Sequence, residues 1–256
     1  MMRIMLTVAY DGTAYSGWQI QPNAVTIEEK LREAIKTLTG EDVELIGASR
    51  TDAGVHSLGN VAVFDTGSSI PPVKFSFALN NYLPEDIVVR ESCEVAPDFH
   101  PRHCDSVKTY EYRIYNDRFP HPVLRLYSHF SYRKFDVDRM REAAAKLVGE
   151  HDFGAFCSAG SQAETTVRTI YSIDIIEENI EGAVSGEYGK MIKIRVTGSG
   201  FLYNMVRIIA GTLMDIGTGL MEVSAIDRCL ETADRSDAGP TAPANGLTMI
   251  GITFKN

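Results

Sequence analysis

The order of segments along the chain, more than any single motif, limits what it can fold into. Strand, helix, strand, strand, helix, strand is written in the first hundred or so residues and again in the remainder. Arg3–Tyr10 (RIMLTVAY) alternates apolar and polar residues and ends at the turn Asp11–Gly12. Thr26, with Glu29 three residues on, has capping-box spacing. Ile27, Leu31, Ile35 and Leu38 then follow at helical intervals, and Gly40 closes the helix. Short strands are expected near Val43–Gly47 and Asn60–Phe64, a helix over Val73–Asn81 and a strand over Asp86–Val95. The second half reads as a strand at Val107–Tyr115 and an amphipathic helix at Val137–Val148, stopped by Gly149. Strands at Arg168–Glu177 and Lys190–Thr197 flank a glycine-containing hairpin region, Glu178–Gly189. An apolar helix (Phe201–Ile216), a shorter one (Ser224–Ala233) and a last strand (Leu247–Phe254) complete the repeat. The pattern predicts an α+β protein of two tandem ferredoxin-like (βαββαβ) subdomains. They are expected to span 1–105 and 106–256, divided in the Pro/His-rich stretch before Ser106. A chain of 256 residues is long enough to give each its own core.

Composition narrows the class. With 44% hydrophobic and 23% charged residues the chain is an ordinary globular one, not disordered, collagenous or membrane-embedded. Its apolar runs fall short of the roughly 18–20 residues of a membrane span, and the N-terminus lacks the plan of a signal peptide. Cys93, Cys104, Cys157 and Cys229 form no CxxC pair, which suits free thiols in a reducing compartment. A cytoplasmic location is expected.

The net charge of 25 − 34 = −9 argues at first against a nucleic-acid partner, but it is unevenly spread. Between Arg102 and Lys134 seven Lys/Arg face Asp105, Glu111 and Asp117, a local 7 − 3 = +4 against −13 elsewhere. Tyr110, Tyr112, Tyr115, Phe119, Tyr127, Phe130 and Tyr132 are interleaved with them. Cations for phosphates and rings for bases are what an RNA surface needs. An aromatic strand pair with solvated arginines fits the same composition.

Several fragments resemble chemistry without supplying it. Asp11–Gly12 lacks the preceding carboxylate of an aspartate phosphotransferase, because position 9 is alanine, and reads as a turn. Gly198–Ser199–Gly200 lacks the third glycine of a dinucleotide loop. His100, His103 and Cys104 have no second cluster to complete a metal site, so no metal is expected. His56 has no Ser or Cys partner in view and is expected to order its loop. That loop, Gly47–His56, sets Arg50, Thr51 and Asp52 among small residues. A carboxylate beside a guanidinium stays ionised at neutral pH, as a nucleophilic Asp requires. An Asx turn stabilised by its own backbone would have the same composition.

Residues 50–56 (RTDAGVH) nevertheless resemble the catalytic loop of the tRNA pseudouridine synthase family that acts on the anticodon arm (the TruA family). So do residues 10–21 (YDGTAYSGWQIQ), 78–87 (ALNNYLPEDI), 99–103 (FHPRH), 108–116 (KTYEYRIYN), 151–157 (HDFGAFC), 198–213 (GSGFLYNMVRIIAGTL) and 242–247 (APANGL), in the family's order. Ser49 stands where the family usually has glycine, and Ser57 where it has alanine. The resemblance implies a largely antiparallel sheet, a catalytic cleft between the two subdomains and a homodimer. It also implies conversion of uridine to pseudouridine at positions 38, 39 and 40 of tRNA, without cofactor or metal. Asp52 would be the nucleophile at C1′ or the base that takes a 2′ proton. Arg207 would pair with that Asp, Tyr110 would stack on the target base, and Arg50 would fill the space of the flipped nucleotide. Phe99, His100, Arg102 and Arg168 would be further RNA contacts. Two rivals assign no chemistry to Asp52: a non-catalytic RNA-binding or chaperone module, and an oligomeric binding protein without RNA.

Overall fold

The computed structural model of the chain describes residues 1–180 and 189–255. Pairing in the first 106 residues follows from alternation. In β1 (Met2–Tyr10), Ile4, Leu6 and Val8 point to one face and are fully buried. In α1 (Ile27–Thr39), Thr26 accepts from the Glu29 amide, Gly40 ends the helix at φ 76°, and Ile27, Leu31, Ala34 and Ile35 are buried. β2 is only Ile46–Gly47, and β3 runs from His56 to Thr66. A 3₁₀ turn at Pro72–Lys74 leads into the short α2 (Phe75–Leu79), and β4 spans Ile87–Val95. β1 lies antiparallel between β3 and β4, and β2 runs antiparallel to β3 through Ile46↔Val63 and Gly47↔Ala62. Phe64 and Phe75 close the core edge-to-face at 5.6 Å. Each fully buried side chain of this size contributes roughly 1.5–3 kcal/mol.

The second unit starts on β5 (Ser106–Asn116), which takes the three-residue β6 (His129–Ser131) as a parallel neighbour. α3 (Val137–Ala145) is capped by the Asp136 side chain on the Arg139 amide. β7 (Gly149–Asp152), β8 (Val167–Asn179) and β9 (Lys190–Gly198) then form antiparallel ladders β7–β8–β9–β5. α4 (Met205–Gly217) is buried almost all round, and α5 is Ala225–Thr232. Gly217 is required where α3 crosses, because a Cβ there would lie 2.7 Å from Met140 Cγ.

β10 (Leu247–Phe254) pairs in parallel with β3, through Thr248↔His56 and Met249↔Ser57. By contacts the chain divides into Met1–Ser106 with Thr248–Asn256, and Val107–Leu247. β10 is thus grouped with the first unit, whereas the sequence pattern places it within 106–256. The architecture is mixed α+β with largely antiparallel pairing.

Other expectations shift locally. The strand expected over Val43–Gly47 forms a ladder only at Ile46–Gly47, while β3 is longer than Asn60–Phe64 in both directions. α3 stops at Ala145, and Gly149, at φ 121°, opens β7 instead of merely ending a helix. The apolar helix begins at Met205, not Phe201, because Asn204 is left-handed at φ 60° and Ser199 donates its amide to the Thr169 carbonyl. The turn of the expected hairpin, at 181–188, lies outside the described residues.

Candidate active site

In the first unit the loop leading into β3 is pinned from both sides. The Tyr10 hydroxyl at the end of β1 lies 2.7 Å from Thr51 Oγ1 in a buried hydrogen bond. Asn60, fully buried on β3, donates Nδ2 to the Ser49 carbonyl at 3.0 Å. Thr51 accepts the Trp18 amide at 3.0 Å, and Gly54 donates to the Tyr15 carbonyl at 3.2 Å. Two glycines permit this approach. A Cβ on Gly12 would lie 2.0 Å from the Val55 carbonyl oxygen, and one on Gly17 (φ 89°) 2.5 Å from that of Thr51. Val55 donates to the Asp52 carbonyl at 3.1 Å, closing a tight turn through Ala53–Gly54. Ser49 and Thr51 are buried, Arg50 is exposed, and Asp52 is half-buried. The fold therefore fixes the loop backbone at Ser49, Thr51 and Gly54, with Arg50 exposed and Asp52 half-buried between these clamps. His56 orders the loop as expected: its Nδ1 accepts the Gly12 amide at 3.1 Å, beside Asp11 Oδ1.

Arg102 donates Nε to the Gly47 carbonyl at 2.8 Å, at the base of the same loop. Burial, then the charge of Arg50, pull its pKa below the usual guanidinium value. These two cations are close enough to disfavour one another, and a phosphate would relieve that repulsion. His100 stacks on His103 at 3.9 Å, and burial, then His103 and Arg102, lower its pKa. Phe99 packs edge-to-face on Phe254 at 5.1 Å, and its carbonyl accepts from Arg3. Its ring is thus engaged with β10. Among the described residues no cluster of three His, Cys, Asp or Glu could hold a metal ion.

In the second unit Tyr110 lies on β5, 8% exposed, edge-to-face with Phe201 at 5.3 Å. Tyr112, two residues on, is wholly buried and donates its hydroxyl to the Pro243 carbonyl at 2.9 Å. Burial pushes its pKa up. Two tyrosines alike in sequence are thus separated: Tyr112 belongs to the core, and Tyr110 sits at its margin.

Arg207, in the first turn of α4, is half-buried. Its Nε donates to the Ala242 carbonyl at 2.7 Å and its Nη1 to Asn204 Oδ1 at 2.8 Å. Asn204 donates in turn to Ser158 Oγ at 3.0 Å. Three segments thereby fix the plane of one guanidinium. Arg168 bends back to donate to the Thr165 and Val167 carbonyls, beside Gly200. Asp52, Arg50, Arg102, Phe99 and His100 belong to the first unit; Tyr110, Arg207 and Arg168 belong to the second.

Three residues that hold this geometry were missed in the sequence: Tyr10, Asn60 and Asn204. Asn60 had one available signal, a polar residue opening the apolar run Val61–Phe64. Asn204 had its position just ahead of Met205 and Val206 at a helix start.

The comparisons with known proteins agree with one another. The family profile described as tRNA pseudouridine synthase matches residues 6–103 and 143–255. A tRNA pseudouridine synthase A from Acetivibrio thermocellus is 48% identical over 99% of this chain and 100% of its own length. Proteins with the same name from Caldicellulosiruptor bescii and Ruminiclostridium cellulolyticum are 45% and 46% identical over 99% of this chain and their full lengths. With matches that run nearly end to end, the chain belongs to the tRNA pseudouridine synthase family, isomerases that act on tRNA.

Proposed function

We propose that the protein isomerises uridine to pseudouridine at positions 38, 39 and 40 in the anticodon stem-loop of tRNAs. The observation that supports this reading is the Arg50–Thr51–Asp52 loop, whose backbone is braced on either side of the acid by Tyr10 and Asn60, with Arg50 exposed and Asp52 half-buried. Preorganisation of this kind is what a reacting group needs. In the reaction the N1–C1′ bond breaks, the base turns, and C5–C1′ forms. C5 loses a proton and N1 gains one, so atoms and electrons balance within the nucleotide.

Asp52 takes part as nucleophile at C1′ or as base at the 2′ proton, and the reading requires Asp52, Tyr110 and Arg207 to act on one nucleotide. The guanidinium of Arg207 keeps Asp52 ionised and oriented. Tyr110 stacks on the target base with an apolar ring and a polar tip. Uridines of a paired stem leave the stack at a cost of a few kcal/mol, and Arg50 fills the vacated space. Arg102, His100 and Arg168 contact the RNA, and Phe99 supports them from its packing on Phe254. The same reading takes the two units as tandem ferredoxin-like subdomains around a catalytic cleft, and the active form as a cytoplasmic homodimer.

The direct test is pseudouridine mapping of an unmodified tRNA transcript bearing uridines at 38–40, after incubation with the purified protein. Pseudouridine confined to those positions supports the reading. Modification elsewhere, or none, overturns it.

A further inference from the structure

From Arg118 to Lys134 the chain carries Arg118, Arg125, Arg133 and Lys134 and not one Asp or Glu, in a protein whose net charge is −9. All four cations are exposed, and none makes a salt bridge among the described residues. Acids at either end are occupied. Asp117 is fully buried, accepting from the Tyr115 hydroxyl at 2.7 Å and the Arg118 amide at 2.6 Å. Asp136 caps α3 on the Arg139 amide. Asp215 is near enough to Arg133 to feel its field but forms no ion pair with it.

Six of the seven cations in the wider run are sorted by their partners; the seventh, Lys108, is half-buried on β5. Arg102 is bound to Gly47 in the first unit. Arg113 is neutralised by Glu111, a buried carboxylate shared with Arg195. The four from Arg118 to Lys134 make no ion pair among the described residues, Arg125 donating to the Pro122 carbonyl at 2.9 Å, and three exposed aromatic rings stand among them: Phe119 at 54%, Tyr127 at 41% and Tyr132 at 70% exposure. The Arg118 guanidinium lies over the Phe119 ring at 5.2 Å.

This surface is ordered in the folded chain. Asn116 donates Nδ2 to the Ser131 and Arg133 carbonyls at 2.8 Å, and Asn245 donates to those of Arg125 and Ser128 at 2.9 Å. β6 adds a parallel ladder to β5. A polyanion that docks here need not order the backbone first, so less of its binding energy is lost.

We infer that Arg118–Lys134 is a second RNA-binding surface, separate in sequence from the reacting residues. Its cations engage backbone phosphates, and Tyr132 and Phe119 offer stacking faces to unpaired bases. The inference rests on the proposed tRNA substrate for its partner, yet its test does not need catalysis.

The probe is an unmodified tRNA transcript, with affinity measured by filter binding from 50 to 200 mM salt. The triple variant Arg118→Gln, Arg133→Gln, Lys134→Gln changes only exposed side chains and should melt as wild type. Each lost phosphate contact lowers the slope of log K against log salt by about 0.7–0.9. Three contacts make the wild type lose roughly 20- to 40-fold more affinity than the variant across that salt range. Lys74→Gln, an exposed cation of the first unit, should leave the slope unchanged. Tyr132→Ala should weaken binding about tenfold at an unchanged slope, within the range for one stacked base. An unchanged slope in the triple variant overturns the inference, and so does a change in its sedimenting mass, which would mark this surface as a contact between copies of the chain. Unchanged affinity in Tyr132→Ala removes the stacking role. If the wild type binds with the expected slope but makes no pseudouridine, the proposed function fails and the surface stands.

Discussion

Asn204 separates stability from catalysis in a way few positions can. It is left-handed, at φ 60° and ψ 7°, and makes no side-chain cap bond to α4. Its side chain instead accepts from Arg207 Nη1 at 2.8 Å and donates to Ser158 Oγ at 3.0 Å. A hydrogen bond from a charged donor contributes about 1.5–3 kcal/mol and a neutral one about 0.5–1.5 kcal/mol. Both sit at the lower ends here, because the site is only part-buried, so Asn204→Gly should cost about 2 kcal/mol. For a chain of this size that is a fall in Tm of roughly 4–8 °C. Asn204→Ala loses the same two bonds but, unlike glycine, keeps a Cβ in the left-handed region, which sets it about 1 kcal/mol below the glycine variant. The alanine variant is therefore the less stable of the two. Activity should not follow that order. Both variants release Arg207 from the same brace, so both should lower the single-turnover rate of pseudouridine formation to the same degree, about tenfold for 1.4 kcal/mol. The assay is run at 25 °C on protein shown to be folded by circular dichroism. If the glycine variant turns over as wild type, or activity tracks melting temperature, Asn204 serves only the helix start and the reasoning is refuted.

Glu111→Gln should destabilise the protein by about 2–4 kcal/mol at pH 7, since a carboxylate 1% exposed loses its charge between Arg113 and Arg195; those arginines are partly solvated, which keeps the loss moderate. Burial raises the Glu111 pKa, but the bonds from both arginines outweigh it and hold it below its usual 4.5. A depressed folded pKa gives stability that is present above 4.5 and lost as pH falls through the folded value. The gap between wild type and variant in urea melts should therefore narrow below about pH 4.5; a gap constant from pH 7 to 3 contradicts this. Tyr112→Phe should cost about 1 kcal/mol by leaving the Pro243 carbonyl unpaired, with turnover unchanged. Tyr110→Phe should keep tRNA affinity in filter binding while lowering turnover; unchanged turnover would leave Tyr110 a stacking platform only. Gly47→Ala should shift Trp18, because the new Cβ would lie 2.4 Å from its Nε1; loss of indole fluorescence anisotropy together with activity would report the displaced loop, and wild-type values of both would contradict it.

Much of the fold was legible because two periodicities, 2 and 3.6, are written locally. The alternation of Arg3–Tyr10 and the Thr26–Glu29 box each place an element within a residue or two. Features decided at long range were not legible. The parallel pairing of Thr248 and Met249 with His56 and Ser57 leaves no trace in local pattern, so nothing near Leu247–Phe254 announces its place beside β3. β6 and β7 are too short, at three and four residues, to show alternation. The start of α4 was misplaced because Phe201 and Leu202 are as apolar as a helix face, while the deciding fact is the backbone of Asn204. At the site, composition left the Arg50–Thr51–Asp52 loop open between chemistry and an Asx turn, and only resemblance to a family pointed to chemistry. The clamps on that loop could not be read, since the bond between Tyr10 and Thr51 joins residues 41 apart in the chain.

The central claim is that Asp52 performs chemistry and does not merely shape a loop. Its most direct test is pseudouridine formation by Asp52→Asn, a nearly isosteric change, on a tRNA transcript with uridine at position 39. Binding and thermal unfolding are measured on the same preparation. The account predicts a folded protein that binds the transcript at least as tightly as wild type, because a negative charge near a polyanion is gone, and that forms no pseudouridine. A folded, tRNA-binding Asp52→Asn protein that converts uridine at the wild-type rate would contradict it.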